Sequence, residues 1–182
     1  MADPHIEETL DIWDKVSISV YRSGIIISGL AFIALALQQL FYPLWFKQIV
    51  VIIALGAILQ ASSLHIYMKS FRTILVSTTW IGLWLLSLSF TLSGPWVAYF
   101  ALGGFFVTQG GLAFKESFCF SLQILKAIPI FVAAIWFLIV FQQAEVAAVG
   151  LILVAGLYLY MGWKKVNMPL HFDLGDRSKY EI

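Results

Sequence analysis

The chain is poor in charge and nearly free of cysteine. Asp, Glu, Lys and Arg make up 12% of its 182 residues, about half the share found in a soluble domain. Eleven Lys+Arg stand against ten Asp+Glu, a net charge of +1, so no basic surface marks a nucleic-acid partner. The single cysteine, Cys119, excludes an intrachain disulfide and a cysteine-based cluster. Catalytic signatures are missing too: there is no His-Glu-x-x-His, no phosphate loop, no Gly-x-Ser-x-Gly and no pair of intramembrane carboxylates. None of the charged residues falls near the centre of an apolar run, where a charge would cost about 2.5–3.5 kcal/mol and mark a pathway or relay. These absences weigh against proton-driven transport and against intramembrane acid–base catalysis. A passive pore stays open.

What the chain has is apolar length. It is 61% hydrophobic, with a mean hydropathy of +0.91. The apolar blocks come close to the ~20 residues that cross a ~30 Å hydrocarbon layer. Six spans are expected, at 24–41, 48–67, 73–92, 96–114, 127–141 and 146–163. Pro43 ends the first, because proline lacks an amide donor and clashes with the preceding turn. Pro95 suits the first helical position of the fourth, and Pro129 the first turn of the fifth. The fold class is therefore all-α, a polytopic membrane bundle of six transmembrane helices. Residues 1–23 read as a cytoplasmic amphipathic segment, 24–163 as the membrane domain and 164–182 as a cytoplasmic tail.

Six spans sort the cations. Lys15, Arg22, Lys69, Arg72, Lys115, Lys126, Lys164, Lys165, Arg177 and Lys179 fall on one side, and Lys47 stands alone on the other. Loops rich in Lys and Arg are cytoplasmic, so both termini are expected there. Aromatic belts agree, with Tyr42, Trp45 and Trp96 on the far rim and Tyr21, Tyr67 and Trp163 on the near rim. The first residues are acidic, unlike a signal or transit peptide, so insertion is expected through the first span.

Two interfacial segments are expected on the cation-rich side. Residues 3–22 read as a surface helix, with Asp3 as cap, Pro4 in the first turn, and Glu7 and Glu8 at the positive helix end. Ile6, Leu10, Trp13 and Val20 lie near one face. Its acidity suits a protein partner as well as it suits a headgroup layer. Residues 115–126 (KESFCFSLQILK) place Phe118, Leu122 and Leu125 at helical spacing, with Lys115, Glu116 and Gln123 free to face water.

Inside the spans three features carry candidate roles. Gly103, Gly104, Gly110 and Gly111 cluster in the fourth span, and Gly104, Thr108 and Gly111 share a face. Small residues let helices approach closely; the reading is intramolecular packing or a flat docking face for another protein. Ala148, Ala155 and Gly162 form a similar stripe in the sixth span. His65 is the only histidine within a span; it is either hydrogen-bonded to a neighbouring helix or a ligand to a chlorophyll magnesium. Trp80, Trp84 and Trp136 lie away from the belts and are expected to pack the bundle, or to line a surface for chlorophyll, carotenoid or lipid. Gln60, Thr78, Thr79, Thr108 and Gln109 are candidates for cross-linking helices, at about 0.6 kcal/mol each.

The block Gly111-Leu-Ala-Phe-Lys-Glu-Ser-Phe-Cys-Phe120 resembles the signature of an uncharacterised integral membrane family of cyanobacteria and plastids, a domain of unknown function. The pattern of short-looped spans and charged tails is similar over most of the chain. The resemblance implies a thylakoid membrane location and a role in assembling or stabilising a photosystem. It supplies no active residues.

The function expected from these features is that of a non-enzymatic accessory or assembly factor. It would dock through the small-residue faces (Gly103, Gly104, Thr108, Gly110, Gly111, Ala148, Ala155) and through Trp13, Lys115, Glu116 and Phe118 at the cytoplasmic rim. Its partners would be membrane lipids and subunits of a larger membrane complex, and no metal is expected. The alternative is a small transporter or channel, although residues 24–92 and 96–163 show no inverted repeat. An intramembrane enzyme would need polar groups that converge; Lys115, Glu116, His65 and Lys69 share the expected rim.

Overall fold

The computed structural model describes residues 9–41, 43–64, 66, 68–92, 94–120 and 122–174. Every regular element among them is helical. The elements are α1 (Ile12–Phe41), a 3-10 turn (Pro43–Trp45), α2 (Phe46–Ala61), α3 (Lys69–Thr91), α4 (Trp96–Phe120), a 3-10 segment (Gln123–Ala127), α5 (Ile128–Val140), α6 (Ala144–Val166) and the short α7 (His171–Leu174).

Helices α1 to α6 pack in chain order, and α6 returns to α1 to close a ring. Sequential antiparallel packing puts the start of α1, the end of α4 and the end of α6 at one end of the bundle. Lys15, Arg22, Lys69, Arg72, Lys115, Lys126, Lys164 and Lys165 gather there, and Lys47 sits at the other end. Its ammonium donates to the Ser89 carbonyl at the end of α3. Among the described residues, five helical stretches are long and apolar enough to span, one of them running from Gln123 to Val140 through the 3-10 segment and α5. Helix α2 has 16 residues, about 24 Å, and relies on the 3-10 turn before it for reach.

The core is aromatic at its centre. Phe32 of α1 meets Phe106 of α4 edge-on, with ring centroids 5.8 Å apart, and meets Tyr158 of α6 at 5.1 Å. Glycine sets the helix spacing around it. A methyl group on Gly104 would stand 3.1 Å from the Thr78 carbonyl oxygen and 3.3 Å from Gly82 Cα, so α3 and α4 touch backbone to backbone. Burial is uneven: 56% of the most apolar stretch of α4 is buried, against 28% for α3 and for α5. Helices α3 and α5 therefore form the outer wall.

Several expectations from sequence are corrected. The boundary expected at residue 24 falls inside α1, which is continuous from Ile12. The backbone N–H of Asp11 donates to the Asp14 carboxylate at 2.9 Å, a capping-box contact that starts the helix eight residues after Asp3. Ser19 and Ser23 return their hydroxyls to carbonyls one turn back, which keeps the helix running. The expected cap at Asp3 and the acidic turn at Glu7 and Glu8 lie outside the described residues. The second surface helix is divided: α4 continues to Phe120, and residues 123–127 form a tight 3-10 turn. Trp80 and Trp84 do not pack the bundle; they are 68% and 63% exposed on the outer wall. Tyr21 is not a belt residue, being 1% exposed. Trp136 does pack, and its indole N–H donates to the Tyr99 carbonyl at 2.7 Å.

Gly104→Leu should force α3 from α4 and cost about 1–3 kcal/mol, the usual penalty of overpacking. A methyl on Gly156 would meet no atom within 4 Å, so Gly156→Ala should not lower stability. Thermal unfolding of both variants in detergent checks the pair.

Candidate functional site

Four charged residues at the cation-rich end of the bundle, Arg22, Glu116, Lys165 and Asp173, are buried. Glu116, near the end of α4, has a fully buried side chain. The Tyr21 hydroxyl of α1 donates to its Oε1 at 2.6 Å. Lys165 Nζ of α6 stands 2.8 Å from its Oε2, and Lys115 Nζ stands 3.3 Å from Oε1. Lys165 also pairs with Asp173 Oδ1. Asp173, on α7, takes Arg22 Nε at 2.7 Å through Oδ2. Arg22 spends its other nitrogens on the Met168 and Pro169 carbonyls, at 2.9 and 3.1 Å. The side chains of Lys165 and Asp173 are 1% and 2% exposed. Two acids and three cations thus tie α1, α4, α6 and α7 together.

A second polar layer lies one heptad deeper. Ser28, Gln109 and Tyr158 each stand seven residues from Tyr21, Glu116 and Lys165 respectively, about 10 Å along each helix. Gln109 Nε2 donates to Ser28 Oγ at 2.7 Å, and the Tyr158 hydroxyl donates to the Gln109 carbonyl at 2.5 Å. Gln60 of α2 donates to Gln109 Oε1 at 3.0 Å and to Ser28 Oγ at 2.8 Å. Thr108 meets Thr79 and Thr78 of α3 at 2.9 and 3.0 Å. The expected cross-links by Gln60, Thr78, Thr79, Thr108 and Gln109 are all present.

The structure redistributes the other candidate residues. Glu116 does not face water; it is the centre of the charge cluster. Thr108, Gly110, Ala148 and Ala155 offer no face to an outside complex, because the chain's own helices cover them. A methyl on Gly110 would meet Pro129 of α5. Gly103, Gly104 and Gly111 line a groove between α3, α4 and α5. Trp13 and Phe118 are 78% and 45% exposed, as a rim role requires. Lys115 joins Glu116, and Lys69 opens α3. His65 lies outside the described residues.

Tyr21, Arg22, Lys165 and Asp173 were not legible as site residues from composition. The usable signal was spacing: three separate spans each carry two polar residues seven apart, Tyr21 with Ser28, Gln109 with Glu116, and Tyr158 with Lys165. Equal spacing on three helices is what two stacked polar layers require. Asp173 carried no such signal, because it comes from a tail.

The family described as uncharacterized integral membrane protein (DUF2301) matches residues 59–182. The chain belongs to this family. The matched stretch contains Lys115, Glu116, Lys165 and Asp173, the part of the charge cluster that lies beyond α1. The chain is also 40% identical to an uncharacterized protein of Haemophilus influenzae, over the full length of both. A homologue in Haemophilus influenzae points to a distribution wider than cyanobacteria and plastids. No solved structure matches.

Asp173→Ala would leave Arg22 and Lys165 as buried cations with a partner removed. Loss of one member of a buried pair costs about 3–5 kcal/mol. The expected result is a large drop in melting temperature and faster proteolysis after residue 166. Lys15→Gln, at an exposed position, should change neither.

Proposed function

We propose that this protein is a non-enzymatic accessory factor of a larger membrane complex, docked sideways through the outer face of α3. The cation-rich end with both termini faces the cytoplasm in this reading, because Lys- and Arg-rich loops stay there. One observation carries the proposal. Thr73, Ser77, Trp80, Trp84, Ser87 and Thr91 are all exposed, and their spacing alternates four and three residues along α3. This is the period of two helices packed side by side at about 20°. Thr73, Ser87 and Thr91 return their hydroxyls to carbonyls of their own helix, so tryptophan is the residue out of place on a face that meets only lipid tails. Ser and Thr are enriched between membrane helices. Tryptophan belongs at the headgroup level, yet Trp80 is the central residue of α3. Neither Trp80 nor Trp84 has an indole N–H acceptor among the described residues, and a partner helix would supply one.

The non-enzymatic part rests on the charge cluster. Its acids and cations are spent on one another, which supports a structural use for them. The photosystem and thylakoid expectation is narrower than the family. Haemophilus influenzae has no photosystem, so the partner proposed is a membrane complex of wider distribution.

A photo-crosslinking residue placed at Ser77 or Trp84 should yield a discrete protein adduct in native membranes, and one placed at the exposed Val149 of α6 should not. Trp80→Ala combined with Trp84→Ala should shift the protein from a high-mass to a free band on native electrophoresis, with an unchanged melting temperature. Lipid adducts alone at Ser77 and Trp84 would refute the docking face.

A further inference from the structure

A groove of about 650 Å³ runs between α3, α4 and α5, with walls that include Phe71, Phe100, Gly104, Val107, Phe114 and Trp136. From Phe100 to Phe114 it follows α4 for fourteen residues, about 21 Å of a ~30 Å hydrocarbon layer. The lining is apolar throughout, which suits a hydrocarbon chain lying along α4.

The two ends of the groove differ. No charged residue lines the groove at either end, and Phe100 and Phe137 line one end of it; the difference lies in what stands beside the other end. At the other, Phe114 packs edge-on against Phe118, with centroids 5.3 Å apart, and Lys126 Nζ stands 5.3 Å from the Phe118 ring centroid. Lys126 is exposed, and three residues later Pro129 lines the groove. Phe71, on the opposite wall, lies between Lys69 and Arg72 in sequence. Lys126 thus stands beside the Phe114 end of the groove, where a headgroup would sit. Basic pockets at the rim of membrane helices favour anionic headgroups.

We infer that this groove binds an anionic phospholipid, one acyl chain lying along Gly104 and Val107 and the phosphate held at Lys126. Native mass spectrometry of the full chain tests it, with phosphatidylglycerol and phosphatidylcholine of identical acyl chains as probes. One bound phosphatidylglycerol should survive release from detergent, about fivefold more than phosphatidylcholine, the difference one lysine makes near an anionic headgroup. Lys126→Gln should remove the headgroup preference and keep lipid retention. Val107→Trp, at a half-exposed wall position, should abolish retention of both lipids. Ala133→Trp fills the same groove from α5 and gives an independent reading. Equal retention of the two lipids by the native chain would overturn the inference. So would persistence of the lipid in both tryptophan variants, or a lipid-free dimer as the dominant species.

Discussion

Ions buried together must satisfy one another, and that constraint organises this protein. An unpaired carboxylate or ammonium in a low-dielectric interior carries a penalty of several kcal/mol. Glu116, Lys165, Asp173 and Arg22 avoid it only if α1, α4, α6 and α7 meet at one height. Arg22 and Asp173 are 151 residues apart in the chain. Their pairing draws the segment after α6 back over the start of α1. Apolar surface gives membrane helices no hydrophobic drive toward one register, because lipid tails are as apolar as leucine. The ion cluster supplies the register that apolar packing lacks.

The deeper layer of Ser28, Gln60, Gln109 and Tyr158 repeats the device without charge. Two polar layers seven residues apart allow little rotation or sliding of α1, α4 and α6. The inner surface of the ring is thereby consumed by the fold. Surfaces left for other molecules lie on the outer wall, where α3 and α5 are thinly covered. The exposed tryptophans of α3 and the groove beside α4 are both on that wall. They are distinct in chemistry: one is a hydroxyl and indole stripe at helix-packing period, the other a hydrocarbon slot with a cation at its mouth.

Much of the fold was legible in the sequence. Apolar run length gave the helices, and the cations do gather at one end of the bundle. The breaks were harder. Residues 12–22 are amphipathic and read as a separate surface helix, yet nothing between Val20 and Gly24 stops a helix, and the Asp11–Asp14 cap was hidden among other acids. The glycines of α4 were recognised as contact residues, and the partner proved to be mostly the chain itself. Glu116 shows the limit most clearly. Beside Lys115 in a charged block it reads as a wetted rim residue. Its burial depends on Tyr21 and Lys165, 95 and 49 residues away, and no local pattern encodes such distances. The tryptophans misled for a related reason: aromatic area usually fills cores, and only the phase of α3 in the assembled ring turns Trp80 and Trp84 outward.

The direct test of the charge cluster is a double-mutant cycle on Glu116 and Lys165, using Glu116→Gln, Lys165→Met and the double variant, with unfolding free energies measured in one detergent. Groups that share a buried network couple by about 0.5–3 kcal/mol. The expected coupling lies near the top of that range, with the double variant no less stable than the weaker single one. Effects that simply add, within about 0.5 kcal/mol, would contradict a buried ion cluster as the element that sets the register of the bundle.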